Sequence, residues 1–103
     1  MLKNNKLPKS FAVGAQTINV VINNALAHEN ILGQCDSVKN LIEISEVFRG
    51  EALVADQIED SFYHELTHLL FEKVGRLDLS SDEGLVINFS LVLHQALKSL
   101  AYE

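Results

Sequence analysis

Two hydrophobic periods divide the chain. From Thr17 to Asn23 β-branched residues alternate loosely with polar ones, which predicts a strand. Asn40 to Ser45 alternates more cleanly, with Ile42 and Ile44 on one face and Leu41 apart from it, and Ile31 to Asp36 is a weaker strand candidate. The link Ser37-Val38-Lys39 between these two suits a hairpin, while Ala25 to Glu29 fits a helical turn or a loop. From about Leu53 the period becomes helical. Ile58, Phe62, Tyr63, Leu66, Leu69, Leu70 and Val74 fall within about 160° of arc, and Gly75 suits the residue just past a helix end. Arg76 to Leu79 reads as a linker. A second helix is expected from Ser80 or Ser81 to about Ala101, with Leu85, Phe89, Val92, Leu93, Ala96 and Leu100 as its apolar stripe. Strands followed by helices predict an α+β fold, a small sheet of about three strands with both helices packed on one face.

Composition narrows the class. The chain has 103 residues, 48% hydrophobic and 21% charged, which is one domain's worth of ordinary globular sequence. Lys3, Lys6 and Lys9 make residues 1–10 a basic segment without an acid, expected to be a flexible lead-in, and residues 11–103 a single domain. From Ser10 onward 5 basic residues face 14 acidic ones. An acidic body disfavours nucleic acid as a partner, because phosphate contacts come from Lys and Arg. The lone Cys35 points to a reducing compartment, no apolar run approaches the ~18 residues of a membrane span, and Asn4, Asn5 and Pro8 interrupt any signal-like segment. The expectation is a cytoplasmic protein with no membrane partner.

The informative pentapeptide is His64-Glu65-Leu66-Thr67-His68, in the middle of the first long helix. Residues i and i+4 share a helix face with Cβ atoms about 5–6 Å apart, so two imidazoles at that spacing can grip one Zn²⁺ ion. Glu65 lies about 100° round the same turn, outside the ligand set but placed to take a proton from a water that the metal acidifies. Chance placement gives such a pentapeptide in roughly one chain in a hundred of this composition. The helical context adds to the signal, since the apolar stripe lies opposite the two histidines; the competing reading makes His64, Glu65 and His68 a solvated polar face with Ser61 and Glu72.

A catalytic zinc site usually has three protein ligands. The three-histidine continuation is absent, because Phe71 and Val74 occupy the positions where it would place Gly and His. Glu83, fifteen positions after His68, can reach the ion if the two helices pack antiparallel or crossed. Its alternative is a capping box, Ser80-Ser81-Asp82-Glu83, in which Glu83 would bond back to Ser80; Ser81 as the cap would leave Glu83 free. Asp82 and His94 are further ligand candidates. His94, among Leu91, Val92, Leu93 and Leu97, reads first as a hydrogen-bonded core residue, and otherwise as an oxyanion donor or a partner of the site. Cys35 reads as a packed or loop thiol, with a latency ligand as the alternative. His28 reads as exposed, and Tyr63 and Phe71 as packing groups. The strand Asn40 to Ser45 is either an edge that pairs with an extended peptide or part of a core hairpin.

The run Phe62 to Glu72, with Asp82-Glu83 opening the next helix, resembles the gluzincin group of metallopeptidases, and at this length most of all minigluzincins and small HExxH proteins of phage and prophage genomes. The resemblance implies a minimal zincin-like fold, with Zn²⁺ on His64, His68 and Glu83, Glu65 as general base, and a peptide or protein as substrate. The interval from His68 to Glu83 is shorter than in thermolysin-like enzymes, and at 103 residues no second subdomain is expected to form a far wall. The competing expectations are a latent or non-catalytic zinc-binding regulatory protein and a metal-free interaction module built on the last helix.

Overall fold

Ile18 and Val20 on one strand and Ile42 and Ile44 on its neighbour form an apolar surface that Phe62, Tyr63 and Leu69 cover from a helix. The strands alternate inward and outward residues, so Thr17, Asn19 and Val21 face away from this core. This is a computed structural model, and it describes residues 7–101. The strands are β1 (Ser10–Val13), β2 (Gln16–Ile22), β3 (Gly33–Asp36), β4 (Leu41–Ile44), β5 (Val47–Phe48) and β6 (Glu51–Ala52), and a 3₁₀ turn spans Asn24–Glu29. The helices are α1 (Ala55–Lys73), α2 (Leu77–Ser80) and α3 (Glu83–Lys98).

The fold is α+β, as expected, but its sheet has four strands instead of about three, in the order β1-β2-β4-β3. It is mixed: β2 and β4 run parallel, while β1 and β3 flank them antiparallel. The additional strand β1 starts at the last residue of the expected lead-in and otherwise occupies residues 11–13, for which no element was expected. The backbone carbonyl of Lys9 accepts from Val20 N–H at 2.9 Å, and Ser10 pairs with Asn19, so the end of segment 1–10 belongs to the sheet; residues 1–6 lie outside the described residues. A two-residue turn at Gly14-Ala15 closes the β1–β2 hairpin, and Gly14 takes the positive φ of 60° that a first turn position of this kind requires. A separate two-stranded ribbon, β5–β6, turns through Arg49 and Gly50, both at positive φ.

The β3–β4 hairpin forms as expected. It places β4 between β2 and β3, however, so the segment Asn40 to Ser45 is interior and the edge strand beside α1 is β3. A crossover pairing decides this, and local alternation carries no information about it.

α1 ends as its sequence predicts. Gly75 (φ 77°) donates to Glu72 O and Arg76 N–H donates to Phe71 O, the paired bonds of a glycine-terminated helix. The expected linker contains the short helix α2. α3 then returns antiparallel to α1, with Phe89 against Phe71 and His94 stacked on Tyr63 at 4.9 Å between ring centres. Its buried face is Val86, Ser90 and His94 with Leu93 and Leu97 half-buried, one step round from the expected stripe, and Phe89, Val92 and Leu100 are exposed. α3 is apolar on nearly every side, so its period does not select a face. His94 turns inward because Glu59 and Asp60 of α1 bond it there, while Ser90 satisfies its hydroxyl on Ile87 O of its own helix. Among the described residues no helix is long and apolar enough to cross a membrane.

Candidate metal centre

The pentapeptide lies in the middle of α1, where i,i+4 geometry stacks its imidazoles with ring centres 5.0 Å apart. The face is only partly wet: the His64 and His68 side chains are 29% and 15% exposed. Glu83 opens α3 and closes the third corner. Its Oε1 lies 3.2 Å from His68 Nε2 and its Oε2 lies 3.8 Å from His64 Nε2. Ligand atoms about 2.0–2.2 Å from a tetrahedral Zn²⁺ sit roughly 3.4 Å from one another. The two separations, each to a different Glu83 oxygen, lie on either side of that value, and one ligand atom from each of the three residues lies within 4.8 Å of the others, so the group could hold an ion.

Glu83 is free for this role because the helix start is capped by a different residue. Asp82 Oδ1 accepts from Leu85 N–H at 3.1 Å, which removes the expected alternative of a Ser80–Glu83 capping box and commits Asp82 to the cap. Ser80 is buried and its hydroxyl points at α1 instead, 3.0 Å from His68 Nδ1, while donating to Glu72 Oε2 at 2.7 Å.

Glu65 points to the other side of the histidines, toward β3. Burial above all, and then the charge of Glu83, push its carboxyl up to about 7; a hydrogen bond from the Cys35 thiol works the other way and Glu72 adds to the rise. Burial, with Glu65 next, raises the Cys35 thiol to about 12, so Cys35 is a packed thiol on β3. Burial and then His68 hold His64 below the ordinary histidine value, against the pull of Glu83. A neutral imidazole is the form that binds a metal.

A cleft of about 380 Å³ opens on this side, between the start of β3 and α1. Asn30, Leu32, Gly33, Asp60, Ser61, His64 and Glu65 line it. The cleft thus joins one candidate ligand and the candidate base to the sheet's edge strand.

His94 stands apart from this group. It bonds Asp60 through Nδ1 and Glu59 through Nε2 (2.9 Å), so both ring nitrogens are engaged by carboxylates. Asp56, Glu59 and His94 are a second group that could hold an ion by proximity alone. There the chain supplies its own cations: Lys98 pairs with Asp56, and His94 pairs with Glu59 and Asp60. At the first group, among the described residues, Glu83 has histidines but no lysine or arginine as partner.

The sequence reading missed Ser80, Glu72 and Gly33. Glu72 carried a signal, being four residues beyond His68 on the same helix face. Ser80 carried none beyond its resemblance to a cap. No protein-family model matches the chain, and no curated protein or solved structure matches it.

Proposed function

We propose that the chain is a minimal zincin-like, zinc-dependent peptidase, in which His64, His68 and Glu83 hold Zn²⁺ and Glu65 is the general base. The observation that carries this reading is the convergence of Glu83, from a second helix, on the Nε2 atoms of both histidines. The donor set of two imidazoles and one carboxylate is one that zinc takes in hydrolytic sites, with the fourth position open. When bound, the ion supplies Lewis acidity, polarising a carbonyl and lowering the pKa of water to about 7.

The chain's own residues supply the rest. Glu65 takes a proton from the attacking water and returns it to the departing nitrogen, the paired base and acid roles that one carboxylate can fill in turn. The edge strand β3, which borders the cleft, offers backbone groups for an extended peptide to pair with. Leu32 gives the cleft an apolar wall and Asp60 an acidic end.

The test is Glu65→Gln in zinc-loaded protein, assayed on a broad peptide library. The variant keeps one zinc per chain and loses cleavage; cleavage that survives the substitution removes Glu65 from the chemistry. A wild type that holds zinc and cleaves nothing supports the zinc-binding regulatory alternative.

A further inference from the structure

We infer that Ser80 and Glu72 are positioning residues of the metal centre, which fix the tautomer of His68 and join it to the delivery of Glu83. The inference rests on the metal-centre reading above, but its first test does not need metal. Ser80 Oγ lies 2.7 Å from Glu72 Oε2 and 3.0 Å from His68 Nδ1. A carboxylate can only accept, so the single hydroxyl proton goes to Glu72. The hydroxyl oxygen can then only accept from His68, which places the ring proton on Nδ1. In the neutral ring His68 Nε2 is then left bare, and that is the atom 3.2 Å from Glu83 Oε1. Two facing lone pairs at that separation repel unless a proton or a metal ion lies between them, so the arrangement on one side of the neutral ring leaves a cation position on the other. Metal-bound histidines commonly donate their second nitrogen to an oxygen acceptor in this way, and here a serine relays the bond to a carboxylate.

The location of Ser80 adds a second effect. It ends α2, the connector between α1 and α3, and lies three residues before Glu83. The same bond that orients His68 therefore ties down the segment that carries the third ligand. Ser80 is 7% exposed, so water competes little for its hydroxyl.

The experiment has two arms. In metal-free protein at pH 8, two-bond ¹H–¹⁵N correlations of His68 show the proton on Nδ1 in the wild type. Glu72→Leu, which leaves Ser80 in place and frees its proton to turn toward the ring, reverses the tautomer. In the second arm, zinc affinity is measured by competition with a chromophoric chelator. Ser80→Ala and Glu72→Leu lower it by about 10–100-fold, and Ser80→Thr, which keeps the hydroxyl, stays close to wild type. If Ser80→Ala does not fold, Glu72→Leu and Ser80→Thr still decide. A proton on Nε2 in the metal-free wild type, or full zinc affinity in Glu72→Leu, overturns the inference. A wild type with the proton on Nδ1 that binds no zinc overturns the metal-centre reading and leaves the pair a purely structural contact.

Discussion

Gly33 and Glu65 are in such close contact that a Cβ at position 33 would stand 3.0 Å from Glu65 Cγ. The same Cβ would meet Ile44 Cδ1 at 3.0 Å and the Glu43 backbone O at 3.3 Å, so the Glu65 and Ile44 side chains are the parts that must give way. Glycine is required here by space, since its φ is not in the left-handed region. Gly33→Ala is expected to displace the base without touching His64, His68 or Glu83. Peptidase kcat/KM should fall by about 100-fold, the scale of a 1 Å misplacement, while zinc stoichiometry stays at one. Parallel activity and elemental assays check this, and loss of zinc in the variant would show that the contact positions the ligands instead.

Burial of Glu65 has a thermodynamic sign. Its folded pKa, about 7, lies above the ordinary 4.5, so between these values the folded chain holds a proton that the unfolded chain has released. Stability of the metal-free protein from this group is greatest below pH 4.5 and is lost as pH rises to about 7, by about 3 kcal/mol at most. Glu65→Gln should therefore stabilise the metal-free protein at pH 8 and have little effect at pH 4.5. Urea melts of both proteins at the two pH values give the answer, and equal stability at pH 8 contradicts the burial argument.

His94 acts in the same direction from a different cause. Burial opposes its charge, but hydrogen bonds with the Asp60 and Glu59 carboxylates outweigh that and hold its pKa above the ordinary 6.5. The stabilisation is fully present below pH 6.5 and is lost as pH rises through the folded value. His94→Ala leaves Glu59, 5% exposed, without its partner and is expected to cost about 3–5 kcal/mol. Glu59→Gln in the same background should recover part of the loss. Thermal melts from pH 5.5 to 9 should show the wild-type loss above pH 6.5 and its absence in His94→Ala.

Zinc should also act as a stabilising ligand, because an unfolded chain holds no preformed site. At free zinc 1,000 times the Kd the gain is about 4 kcal/mol, or roughly 15–30 °C in Tm for a domain of this size. A chelator reverses it. Glu83→Ala should lose more affinity than the 100-fold or so that marks the upper end for a residue supporting a ligand. A Tm unchanged by zinc in the wild type would contradict the site.

The parts of this centre differ in how far local sequence reveals them. His64, Glu65 and His68 are legible because helix periodicity alone puts them on neighbouring positions. Glu83 is legible only as one of several candidates, and the choice turned on Asp82 taking the cap, which depends on where α3 starts by a single residue. Ser80 and Gly33 depend on the approach of α2 and β3 to α1, and no period within either segment encodes that approach. In the sheet, Ile42 and Ile44 announce an inward face, but the insertion of β4 between β2 and β3 is a long-range pairing. The buried face of α3 lies one step round from the stripe its period suggests because Ile87, Phe89, Leu91 and Val92 make it apolar on the exposed side too, and the pairing of His94 with Glu59 and Asp60 favours the orientation seen.

The most direct test is elemental analysis of purified wild type, His68→Ala and Glu83→Ala after zinc loading and exhaustive dialysis in chelator-free buffer. The account predicts about one zinc per chain in the wild type and none retained by either variant. A wild type that emerges without zinc, or variants that keep it, would contradict the proposed centre.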